Sequence, residues 1–79
     1  MRDNRLMSKH SKAKCFFETS DNEDGSFWIS VSPQDAPLEL GGREIAIGFD
    51  LNADTPLKEA DEFAAQMRKY ISHVRIWFD

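Results

Sequence analysis

The sequence predicts a small α+β domain: an antiparallel sheet with its elements in the order β-β-β-α-β and one helix packed on one face. The first observation behind this is that Ala60, Phe63, Ala64, Met67, Ile71 and Val74 recur at helical offsets, with Lys58, Asp61, Glu62, Gln66, Arg68 and Lys69 on the other side. The second is that residues 27–32 and 44–51 alternate apolar and polar side chains at the period of a strand. The third is that turn residues separate these runs, above all Asp21-Asn22-Glu23-Asp24-Gly25.

The helix is expected over residues 55–72, with Thr55 capping the first free amides and Pro56 in the first helical position. Residues 15–19 and 27–32 read as an antiparallel hairpin that turns at Gly25, which is free to take a positive φ. The acidic turn does not fit a calcium loop, because Val31 stands where an EF-hand would need its bidentate Glu. Pro33, Pro37 and Gly41-Gly42 mark a loop, within which residues 38–45 suit a small hairpin. Residues 44–51 place Ile45, Ile47, Phe49 and Leu51 toward the helix, and residues 74–78 form the last strand. In this arrangement Phe63, Met67 and Ile71 meet the row Ile45, Ile47 and Phe49.

A chain of 79 residues makes one domain and buries only about 60–65% of its unfolded surface, which leaves little depth for an enzyme cleft. Cys15 is the only cysteine, so no intrachain disulfide forms, and a reducing, cytoplasmic setting is expected. No apolar run approaches the ~20 residues that span a bilayer, and the first residues lack the apolar core of a secretory signal, so no membrane partner is expected.

Charge is unevenly distributed. Residues 1–14 carry Arg2, Arg5, Lys9, Lys12 and Lys14 against Asp3, and read as a flexible basic arm before a domain over residues 15–79; Met7 offers a second start within it. Residues 15–54 carry nine carboxylates against Arg43 alone. Asp21, Glu23, Asp24, Asp35 and Glu39 define an acidic surface able to steer a basic partner.

Cys15, His10 and His73 are the only soft ligands or bases near neutrality, and they fall in no metal-binding or nucleophile motif. Neither catalytic residues nor a metal or cofactor site is therefore expected. Cys15 reads as a small buried hydrophobe, and His73 as a cap for the last helical carbonyls. Alternation instead sends Trp28, Trp77, Arg75 and Phe16 to the sheet face away from the helix, and aromatic rings with Arg are the composition of a binding hot spot. Another protein, a second copy in a homodimer, or local packing over Lys and Arg stems would each account for such a face.

Phe17-Glu18, Asp24-Gly25-Ser26-Phe27, Ser32-Pro33 and the run Ala53-Asp54-Thr55-Pro56-Leu57-Lys58-Glu59-Ala60 occur in an order that resembles the HicB antitoxins, over roughly residues 16–64. The resemblance implies a βββαβ domain that binds and blocks a small basic RNase toxin and is not itself an enzyme. The chain departs from that family in its long segment 32–42 and in lacking the DNA-binding C-terminal segment. The functional expectation is a non-catalytic acidic protein-binding module, an inhibitor of a basic nucleic-acid-handling protein of the antitoxin or phage-inhibitor kind. The alternative is a nucleic-acid-associated module that uses the basic N-terminal arm.

Overall fold

The structure, a computed structural model, describes residues 10–78. Its elements are β1 (His10–Ala13), β2 (Cys15–Asp21), β3 (Phe27–Pro33), β4 (Glu39–Leu40), β5 (Arg43–Glu44), β6 (Ile47–Asp50), α1 (Leu57–Tyr70) and β7 (Val74–Trp77). Strands β2, β3 and β6 form an antiparallel sheet with β3 in the centre. β1 pairs antiparallel with β7, and β4 with β5. The domain is thus the small α+β architecture that the sequence predicts, with a single helix on antiparallel strands.

Period-two alternation decides which side chains form the core. Phe17 lies opposite Val31, and Thr19 opposite Ile29, so Cys15, Phe17, Ile29 and Val31 share one face. Helix α1 packs on β2 and β3 from that side and buries Ala60, Ala64 and Met67. Ala13 joins from β1 and Leu38 from the loop after β3. Phe17, Ile29 and Leu38 are the largest fully buried side chains, each contributing roughly 1.5–3 kcal/mol by leaving water.

Several expectations need correction. The basic arm does not run to residue 14, since residues 10–13 are strand β1; residues 1–9, which include Met7, lie outside the described residues. Thr55 does not cap the helix. Its N–H closes a turn onto the Asn52 carbonyl, and Pro56 holds the N-cap position with an extended backbone and no side-chain cap bond.

Phe63 is 45% exposed. The stripe that reaches the sheet is Ala60, Ala64 and Met67, and at 3.6 residues per turn Phe63 sits about 65° round from its centre. Ile71 lies past the helix end in extended conformation and is exposed. The expected strand over 44–51 divides: Glu44 belongs to the β4–β5 hairpin, which turns at Gly41 and Gly42 with φ of 58° and 81°, and β6 begins at Ile47. Ile45 and Phe49 are exposed because the helix lies over β2 and β3.

Candidate binding surfaces

Away from the helix, the sheet carries Phe16, Glu18 and Ser20 from β2, Trp28, Ser30 and Ser32 from β3, and Gly48 and Asp50 from β6. Glu18, Ser32, Gly48 and Asp50 are exposed, so this face is left to solvent. Trp28 is half-buried because its ring lies on Gly48: a Cβ built on that glycine would fall 2.7 Å from the indole. The indole N–H donates to the Asp21 carbonyl at 3.3 Å.

The β2–β3 turn at one end of this face is acidic and internally braced. Gly25 takes a φ of 91° to close it. The Asp24 carboxylate accepts from the Ser26 hydroxyl at 2.6 Å and from the Ser26 N–H at 3.0 Å. These bonds stabilise the charged form, hydroxyl first, and hold the Asp24 carboxyl below the usual range. The Asn22 amide donates to the Ser26 hydroxyl at 2.9 Å and reaches Asp50 at 3.5 Å. Asp21, Glu23, Asp24 and Asp50 therefore sit around one ordered tip.

The other acidic positions lie elsewhere. Pro33 pairs with Cys15 at the opposite end of β2, so Asp35 stands far from the tip, beside a shallow cavity of about 330 Å³ that Pro37 and Glu44 also line. Glu39 lies across from Glu44, and its N–H donates to the Ser11 hydroxyl at 3.1 Å.

The aromatic and Arg positions are likewise divided. Trp28 registers with Ser20, whereas Trp77 registers with His10, ten positions earlier along β1–β2, a separation of about 33 Å at ~3.3 Å per residue. Arg75 accompanies Trp77 on β7, opposite Lys12. Phe16 lies under the Arg68 guanidinium, 5.3 Å from the ring centre. Trp28 thus belongs to the acidic face, while Arg75 and Trp77 belong to a basic ribbon.

Lys12 and Lys14, which composition assigns to a basic arm, and Lys69 and Tyr70, which composition and motif spacing do not single out, also contribute to the basic side. The signal was the alternation of His10, Lys12, Lys14 and Phe16 with Ser11, Ala13, Cys15 and Phe17, a strand pattern hidden by the basic composition of the segment.

Cys15 is buried in the core and donates its thiol to the Ala13 carbonyl at 3.4 Å; burial pushes the thiol up, and a backbone contact from Val74 only partly opposes this. Among the described residues no group of three or more His, Cys, Asp or Glu side chains is placed to hold a metal ion. No helix among them is long and apolar enough to cross a membrane. Comparison with protein-family models, with curated proteins and with solved structures found no match to this chain.

Proposed function

We propose that the chain is a non-catalytic binding module whose open sheet face and acidic tip dock on a basic surface of another protein, in the manner of an inhibitor of a nucleic-acid-handling protein. The observation that carries this reading is the solvent-facing side of the β2–β3–β6 sheet, where Trp28 stands between Ser20 and Asp50 with its ring on Gly48, beside the braced turn of Asp21, Glu23 and Asp24. A tip already held by internal hydrogen bonds loses little freedom on binding. Its charges would speed encounter with a basic partner and suppress acidic ones. The partial resemblance to HicB antitoxins supports the same class of partner, a small basic RNase.

The test is capture from nuclease-treated lysate by the wild-type chain and by the charge-reversed Glu18→Lys/Asp50→Lys variant. Nuclease-resistant, basic proteins held by the wild type and absent from the variant are expected. Capture that vanishes with nuclease, or that ignores charge reversal, would overturn the reading. A wild-type dimer in sedimentation that the variant dissociates would assign the face to a second copy instead.

A further inference from the structure

On the ribbon formed by β1 and β7, the alternation that turns Ala13, Val74 and Ile76 inward leaves His10, Lys12, Arg75 and Trp77 on the outer side. The register sets Lys12 directly against Arg75. Like charges in that relationship destabilise a strand pair, and no hydrogen bond or ion pair joins either side chain to another described residue. Continuing the register by one step sets Lys14 beside His73, and both line an open groove of about 510 Å³.

Phe16, Arg68, Lys69 and Tyr70 also line the groove, and among the described residues no carboxylate does. Arg68 is fixed over the Phe16 ring at 5.3 Å, and the Lys69 ammonium lies 5.2 Å from the centre of the Tyr70 ring. Groove and ribbon form one stripe of five cations, Lys12, Lys14, Arg68, Lys69 and Arg75, with aromatic rings at both ends. Trp77 at one end is 58% exposed and Tyr70 at the other 72%. The stripe stops beyond Phe16, where Glu18 and Asp61 begin. Glu39 approaches the ribbon through Ser11, which faces the core side.

Cations spaced along a strand with open rings beside them match an extended chain that carries a charge on every unit and a flat group between charges. We propose that this stripe binds single-stranded nucleic acid, with phosphates on Lys12, Lys14, Lys69 and Arg75 and bases stacked on Trp77 and Tyr70. His10 to Phe16 spans about 20 Å at ~3.3 Å per residue, a length that suits on the order of four nucleotides. An unpaired strand is required because a base inside a duplex has no free face to stack. The surface meets the open sheet face at Phe16 and is separate from the acidic tip at Asp21 to Asp24.

The experiment is fluorescence anisotropy of a labelled oligothymidylate about a dozen nucleotides long, titrated with the full chain over a salt series. Binding is expected to weaken with salt. Lys12→Gln/Arg75→Gln should lower the slope of log affinity against log salt by about 1.4, at ~0.7 for each phosphate no longer neutralised, while melting no lower than the wild type. Trp77→Ala should weaken binding about tenfold or more, and Trp77→Phe should restore part of it. Arg2→Gln/Arg5→Gln, which removes as much charge from the preceding segment, should leave tryptophan quenching by the oligonucleotide in place.

The proposal is overturned by any of four results. These are no binding at low salt, a slope that Lys12→Gln/Arg75→Gln leaves unchanged, tighter binding of the matching duplex, or binding of phosphatidylserine vesicles in preference to the oligonucleotide.

Discussion

The Arg68 guanidinium donates a 2.6 Å hydrogen bond to the carbonyl of Phe17 while it lies over the ring of Phe16, 5.3 Å from the ring centre. One side chain of α1 thereby satisfies a backbone acceptor on β2 and shields the neighbouring ring. A bond from a charged donor to a backbone carbonyl contributes more than a neutral one, here offset by partial solvent access. Arg68→Ala is expected to cost about 1 kcal/mol, a fall in Tm of roughly 4–8 °C for a domain of this size, read by thermal denaturation. Arg68→Lys should recover only part of this, since an ammonium lacks the planar fork. An unchanged Tm in Arg68→Ala would show that the contact does not hold helix to sheet.

Phe17 and Phe63 should respond very differently to truncation. Phe17 is fully buried between sheet and helix, whereas Phe63 stands at the border of the helical stripe. Phe17→Ala is expected to cost about 3–5 kcal/mol, which unfolds a marginal domain. Phe63→Ala should cost under about 1 kcal/mol in urea titration. Equal losses would mean that the helix is rotated from the orientation described.

Gly48 gives Trp28 its resting place. Adding a methyl group there brings it to 2.7 Å from the ring, so Gly48→Ala must displace the indole. The expected result is a red shift of the tryptophan emission and a loss of about 1–3 kcal/mol from the crowded packing. Trp28→Ala in the Gly48→Ala background should then cost less than in the wild type, and a double-mutant cycle measures the difference.

The Ser26 hydrogen bonds depress the Asp24 pKa in the folded state, so the unfolded state binds the proton more readily. The resulting stability is fully present above the unfolded pKa and is lost as pH falls through the folded one. Ser26→Ala removes the larger of the two causes. Carboxyl titration followed by NMR should show Asp24 moving back up toward the ordinary aspartate value, with the acid-side loss of stability beginning at a higher pH. An Asp24 titration unaffected by the substitution would refute the bracing of the turn.

The sequence by itself determined β2, β3, the helix and the turns, because each depends on local period and local chemistry. Alternation around Ile29 and Val31, the repeat through Ala60, Ala64 and Met67, and the glycines at 25, 41 and 42 act within a few residues of themselves. The tertiary structure decided where the helix rests. Placed over β2 and β3, it covers Phe17 and leaves Phe49 and Phe63 at the rim, a choice that depends on packing between distant segments. It also decided that residues 10–13 are a strand, since β1 has a polar composition and exists only because β7 supplies its hydrogen bonds. Pairing across the whole chain then separated Trp28 from Trp77 and drew Lys12 to Arg75. Strand register is set by long-range pairing and core burial, so residue composition alone could name the acidic, basic and aromatic groups but could not sort them onto two surfaces.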